Sequence, residues 1–234
     1  MRLRAVTLQA PADRLDELAT FYTDTLGLEG HATSASLATR IGWTELNFGA
    51  IVDPAQDGAA PFYHFAFLVP GDRMEEALEW AIVRARLGLL ALSEDPADLV
   101  MEFEGWQAHS CYFHDPASNI VELIAHDGFG ENGRTDAFSP SELLGISEIG
   151  LIGNPPGVAA ALSERLGLSV FQGSVEGMAF IGEPTAALIL AEEEWRWLPQ
   201  GRPAEAWPAT VQVSEVPGGG WAAAGIHQVD IVDD

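Results

Sequence analysis

The sequence predicts an α+β fold made of repeated units, each a strand, then a helix, then several short strands. Three observations predict it. The ending Leu26-Gly27-Leu28 recurs as Leu166-Gly167-Leu168, each time after a strand-like run and a helical pattern. Short strands outnumber helices, which excludes the alternating order of a Rossmann fold. The 234 residues suffice for one large domain or two of roughly 100 residues each, enough to bury a proper core.

The elements follow in order. Leu3–Gln9 reads as a strand, and after Pro11 the apolar residues Leu15, Leu18, Phe21 and Tyr22 fall at helical spacing. Gly27 can take the left-handed conformation that closes this helix. Thr44–Phe48 is a further strand. A second unit opens with the apolar strand Phe62–Val69. Its helix, Asp72–Leu87, sets Met74, Ala77, Leu78, Ala81 and Ile82 on one side. Strands Cys111–Phe113 and Ile120–Ala125 are joined by the turn-rich Asp115-Pro116-Ala117-Ser118-Asn119.

Residues 128–142, with the Gly-, Asp-, Ser- and Pro-rich Gly128–Pro140, form a linker. Ile146–Ile152 then restarts the pattern, with a short helix after Asn154-Pro155-Pro156 and strands at Met178–Ile181 and Ala186–Ala191. The tail has strands at Thr210–Val213 and Gln228–Val232, with Gly218-Gly219-Gly220 where the earlier units have a helix. The expected division is a first domain over 1–127 (modules about 1–57 and 60–127) and a second, truncated one over 143–234.

Composition bounds the function. Eleven basic against 35 acidic side chains give a net charge of −24, and every basic residue is an arginine. Such a surface repels nucleic acid and anionic membranes; adaptation to high salt would leave the same imprint. The single cysteine, Cys111, excludes an intramolecular disulfide and a thiolate metal cluster. Neither a signal-peptide core nor a bilayer-length apolar run is present, so a cytoplasmic protein, monomer or homodimer, is expected.

Three stretches carry a family resemblance: Phe21-Tyr22 with Leu26-Gly27-Leu28, Tyr63-His64-Phe65-Ala66-Phe67, and Phe113-His114-Asp115-Pro116 followed by Asn119-Ile120-Val121-Glu122. In this order they resemble the vicinal oxygen chelate superfamily, which includes glyoxalase I, extradiol dioxygenases and bleomycin-binding proteins. The resemblance covers residues 1 to about 127 well and 145 to about 192 fairly well. It implies tandem βαβββ modules that pair into half-open, eight-stranded barrels whose cup holds one divalent metal ion (Fe, Mn, Ni or Zn).

Carried over residue by residue, His64 matches the family's histidine ligand and Glu122 its glutamate ligand. The remaining position falls on Ala5 in the first copy, which cannot bind metal, and on Glu148 in the second. A carboxylate replaces imidazole there, as hard and borderline ions allow. Independently of the family, Glu122 lies among Ile120, Val121, Leu123 and Ile124, and Glu148 between Ile146 and Ile149. A carboxylate in a buried strand is costly unless paired or metal-bound. The bland alternative is that alternate strand residues face solvent and His64 is simply hydrogen-bonded.

Around this set, Tyr112 and His114 share strand parity and are candidate substrate contacts, Tyr112 alternatively being a core tyrosine. His109 points the other way unless a bulge reverses it, and is then a candidate acid–base group. His126 is a candidate to orient a ligand or else a rim residue, and Cys111 an inert thiol. Trp195 and Trp197 suit a cup wall or simple packing. Glu192-Glu193-Glu194 reads as a solvated strand end, and Glu45 faces either side.

The resemblance implies a metal-dependent enzyme that chelates vicinal oxygens of a small molecule. The reaction is either a glyoxalase-like lyase or isomerase step, with Glu148 or Glu122 as base, or ring-cleaving dioxygenase chemistry, with His109 or His114 as acid–base. The rival reading is a metal-free protein that sequesters a small ligand. One occupied cup is expected; the other, resting on Ala5 and a tail position near Pro208, is expected to be collapsed or filled by side chains.

Overall fold

The computed structural model describes residues 1–51 and 60–233; the module boundary expected near residue 57 lies outside the described residues. The first half contains strands β1 (Arg2–Pro11), β2 (Gly30–Ala32), β3 (Ser36–Ile41), β4 (Thr44–Ile51), β5 (His64–Val69), β6 (Met101–Phe103), β7 (Ala108–His114) and β8 (Ile120–His126). The second contains β9 (Gly145–Ile152), β10 (Val170–Gly173), β11 (Ala179–Glu183), β12 (Ala186–Ala191), β13 (Arg196–Trp197), β14 (Arg202–Pro203), β15 (Thr210–Ser214), β16 (Trp221–Ala224) and β17 (His227–Ile231). Helices are α1 (Leu15–Thr20), α2 (Met74–Glu79) and α3 (Pro155–Leu166). The first two run on into single π-helical segments, Phe21–Thr25 and Trp80–Arg84.

The strands form two large sheets and a ribbon. One sheet has the order β16-β17-β15-β1-β4-β3-β2, the other β10-β11-β12-β9-β5-β8-β7-β6, and β13 pairs with β14 alone. The fold is α+β, with tandem βαβββ modules of which the last is cut short. At each sheet's centre the first strands of two modules run antiparallel, β1 with β15 and β5 with β9. Each module's last strand returns parallel beside its first: β4 to β1, β8 to β5, β12 to β9, β17 to β15. Parallel neighbours require a crossover. Helices α1, α2 and α3 supply it in three modules, and the glycine stretch 218–220 lies in the fourth.

Apolar alternation decides which sheet face is inside. Val6, Leu8 and Val211 of one sheet share a core with Phe65, Leu123 and Ile149 of the other, and with Leu18 and Leu162 of the helices. The helices are held by local chemistry where the sequence places it. Asn154 caps α3 through its side chain, and Gly167 closes it at φ +70°, as Gly27 does after α1 at φ +72°. After α2 the left-handed position falls on Arg86 (φ +54°), so no glycine marks that end.

Both central pairs also carry a bulge at matching places. The register slips between Leu3 and Ala5 in one sheet, leaving Arg4 over, and opposite Ala66 and Phe67 in the other, leaving Ser147 over. Ala5 and Glu148 each follow the extra residue, so they are structural equivalents.

The buried Arg73 joins the stretch after β8 to the second module. Its guanidinium pairs with Glu142 (3.2 Å) and Glu76 (3.0 Å) and donates to the carbonyls of Arg134 and Asp136 at 2.7 and 2.6 Å. That stretch leads directly into β9, the strand that supplies Glu148.

Candidate metal centre

Three adjacent strands build the site. In the register of β8, β5 and β9, Ala66 pairs with Glu122 on one side and with Glu148 on the other. Directly paired residues project from the same sheet face, so the two carboxylates flank a methyl group that leaves the space between them open. His64, two residues before Ala66, shares that face. One ligand atom from each of His64, Glu122 and Glu148 lies within 4.8 Å of the other two. His64 Nε2 is 3.5 Å from Glu122 Oε2. None of the three residues is more than 6% exposed.

The ring of His64 is oriented from behind. Its Nδ1 donates to the carbonyl of Ile120 at 3.3 Å, leaving the Nε2 lone pair for the cluster. Ile120 is itself placed by the turn before β8. Asp115 Oδ1 accepts the amides of Ala117 and Asn119, both at 2.9 Å, and Oδ2 accepts from Tyr22 (2.9 Å) and the Asn119 amide group (2.8 Å). Asn119 Oδ1 in turn accepts the backbone N–H of Tyr63 at 2.8 Å.

Burial dominates the electrostatics. It lowers the His64 pKa to about 4 and raises that of Glu122 to about 7. Glu148 is raised well above the carboxylate range, first by burial and then by the charge of Glu122. Among the described residues, Oε1 of Glu148 is buried without a hydrogen-bond partner. A neutral imidazole beside two buried carboxylates, with one oxygen of Glu148 unpaired among the described residues, is a set of potential metal donors. A divalent ion fits it: borderline nitrogen and hard oxygen donors, with three protein ligands leaving positions open.

A cavity of about 500 Å³ opens above the cluster. Trp197, on the ribbon, lies with its ring 4.6 Å from that of His64. Gly150 makes this possible, because a Cβ there would stand 3.0 Å from the indole. Trp106, Phe180, Trp195 and Tyr112 continue the wall, Trp106 meeting Phe180 edge-on at 4.6 Å. The ribbon is fastened across the cup by Arg202, which donates to the Ser118 carbonyl at 2.8 Å and lies over the Phe62 ring.

The structure thus brings together His64, Glu122 and Glu148, with Tyr112 paired opposite Glu122 on β7 and lining the cavity. It does not bring His109 to them. The register of β7 against β8 is regular from Ala108 to His114, so no bulge turns His109 inward. It stays on the other face, its Nε2 3.5 Å from Asp127. His114 shares the parity of Tyr112 but lies at the end of β7, between the Asn119 carbonyl and Gln200 at 3.2 Å each, and does not line the cavity. His126, four residues beyond Glu122, stacks on Trp106. Cys111 faces the core, its thiol pushed up to about 12 by burial. Glu192, Glu193 and Glu194 are exposed, as is Glu45, which accepts from Asn47. Sequence reasoning missed Trp106, Phe180 and Gly150; for Gly150 the signal is its position two residues after Glu148, on the same face.

The equivalent row of the other sheet runs Glu45, Ala5, Gln212, Asp230. Thr210, two residues before Gln212, takes the place of His64, rather than the position expected near Pro208. Nor is this second cup collapsed. Its face is polar and solvent-open, with Thr7, Glu45 and Gln228 exposed and Gln228 bonded to Asp230. Three strand spacings, roughly 14 Å, separate Glu45 from Asp230, too far to share an ion.

Paired βαβββ modules curled around a cup are the fold that the resemblance to vicinal oxygen chelate proteins implies. In solved structures it is shared with glyoxalase I from Zea mays. The V278E mutant of that enzyme matches at TM-score 0.52 and 14% identity, over 99% of this chain and 92% of the other. The unmutated enzyme matches at 0.50 and 14%, over the same shares. A lactoylglutathione lyase from Agrobacterium tumefaciens aligns with 55% of this chain and 96% of its own, at 21% identity and TM-score 0.41. No protein-family model and no curated protein matches the sequence.

Proposed function

We propose that the chain is a divalent-metal-dependent enzyme that binds a small molecule through two vicinal oxygens. One observation carries this reading: three buried donors converge at the floor of a ligand-sized cavity, and one carboxylate oxygen among them has no partner among the described residues. His64, Glu122 and Glu148 would hold the ion, which when bound supplies Lewis-acid stabilisation of an oxyanion on the chelated substrate.

The chain's own groups do the rest. His64 presents Nε2 because Ile120 holds Nδ1. Glu148, with its free Oε1, is the residue to take a proton from a substrate carbon and return it. Aromatic side chains exclude water from that proton. The lyase or isomerase reading is favoured over ring cleavage because neither His109 nor His114 lines the cavity.

Metal analysis of protein purified without chelator, followed by titration with Mn, Fe, Ni and Zn ions read as thermal stabilisation, tests the proposal. Uptake of one ion per chain, lost in Glu148→Ala, is expected. No uptake from any of the four would leave the metal-free binding protein as the better reading.

A further inference from the structure

Glu122 and Glu148 stand in unlike surroundings. Both flank Ala66 on β5, but on their outer sides Glu122 pairs with Tyr112 of β7 and Glu148 with Ala187 of β12. Ser110 lies two residues before Tyr112 on the same face of β7. It pairs with Ile124, so Glu122 and His126 are its diagonal neighbours across β8. Ser110 is fully buried, and among the described residues its Oγ has no hydrogen-bond partner. A buried hydroxyl of this kind calls for one. Of the two diagonal neighbours, Glu122 is the one that responds to it. Burial raises the Glu122 pKa to about 7, and the hydroxyls of Ser110 and Tyr112 pull it back down. At His126 the influences after burial are the Trp106 backbone and Asp127. At Glu148 burial is followed by the charge of Glu122, and no hydroxyl acts on it.

We propose that Ser110 is a positioning residue: its hydroxyl donates to the Glu122 carboxylate and fixes the orientation in which Glu122 meets an ion. A hydroxyl bonded to a carboxylate is about twice as strong as a bond between neutral groups. The two glutamates then take different parts. Glu122, held from β7, stays with the ion. Glu148 has the methyl group of Ala187 beside it and its Oε1 unpaired among the described residues, so it is free to turn and carry a proton. This division rests on the functional reading above; the contact between Ser110 and Glu122 rests on the register and burial of β7 and β8 alone.

The test uses the full chain with and without ions. For each of the Mn, Fe, Ni and Zn ions that the parent takes up, affinity is measured in competition with a chelator. Ser110→Ala should bind about 10- to 100-fold more weakly than the parent, the loss usual for a group that orients a metal ligand. Ser214→Ala deletes another buried hydroxyl without a partner among the described residues, on the other sheet, and should bind like the parent. Without ions, at about pH 8, where Glu122 is ionised, the urea midpoint is compared for Ser110→Ala in three backgrounds. The midpoint should fall in the parent and equally in Glu148→Met, but by less than about half as much in Glu122→Met, which lacks the acceptor. A parent that takes up none of the four ions overturns the functional reading, and the ion-free series still decides whether Ser110 holds Glu122. Equal falls in all three backgrounds overturn the inference. So does a Ser110→Ala variant that binds the ion like the parent, or a Ser214→Ala variant that loses as much affinity.

Discussion

Glu122 and Glu148 come from strands on opposite sides of β5, yet both pair with the same residue, Ala66. Two carboxylates across one methyl group repel each other, and burial removes the water that would screen them. Burial holds both above the ordinary carboxylate range, and for Glu148 the charge of Glu122 adds to it, so a cation there would stabilise the fold. It also ties the site to the chain's organisation, because Glu122 precedes residues 128–142 and Glu148 follows them.

Removal of any one donor is expected to weaken ion binding by at least about 100-fold, since loss of residues that merely orient ligands already costs about 10- to 100-fold. His64→Ala, Glu122→Ala and Glu148→Ala should each lose the ion-induced rise in Tm while keeping the parent's far-ultraviolet circular dichroism. Quantitative metal analysis should find one ion per chain, because Glu45 and Asp230 on the other sheet are too far apart to share a second. Two tightly held ions would contradict the assignment.

The metal-free protein should respond to pH through Glu122. For a carboxylate whose folded-state pKa is raised, the stabilising contribution is present below its ordinary value of 4.5 and is lost as pH rises through about 7. Glu122→Gln should therefore gain on the parent in Tm between pH 5 and 8 when no ion is present. His64 works in the other direction: its contribution is present above 6.5 and lost as pH falls through about 4. An ion competing with the Glu122 proton should stabilise the parent more at pH 8 than at pH 5.5. Equal stabilisation at both would exclude Glu122 as a ligand.

Arg73 is fully buried and holds residues 134–142 against the second module. Arg73→Met should cost about 3–5 kcal/mol, the range for breaking a buried ion pair from one side. Arg73→Lys should recover only part of it, because an ammonium cannot reproduce the planar fork. Urea denaturation of the three proteins measures this; a loss under about 1 kcal/mol for the methionine variant would show that the clamp is not structural.

Asp115 acts at a distance from the cluster. Its four accepted hydrogen bonds shape the turn that places Asn119 and Ile120, and Ile120 orients His64. Asp115→Ala should cost about 2 kcal/mol or more in stability and also lower ion affinity. A variant destabilised to that extent but binding the ion like the parent would separate the turn from the site.

Much of this protein is legible from local sequence. The helix ends at Leu26-Gly27-Leu28 and Leu166-Gly167-Leu168 follow from a backbone conformation that glycine adopts freely. The apolar strands around His64, Glu122 and Glu148 are visible in composition and alternation, and so are the three donors themselves. Strand parity alone sets His109 and Tyr112 on opposite faces. Short or half-polar strands such as Ser36–Ile41 and Trp221–Ala224 escape notice, because their pattern emerges only against a paired neighbour. Tertiary structure decides the rest. Whether a carboxylate on β8 meets one on β9 depends on register, and a one-residue slip would turn either to the opposite face. The bulge at Ser147 settles that register, and no local propensity encodes it. The aromatic wall is likewise tertiary, since Trp106, Phe180 and Trp197 are distant in the chain and meet only when the cup closes.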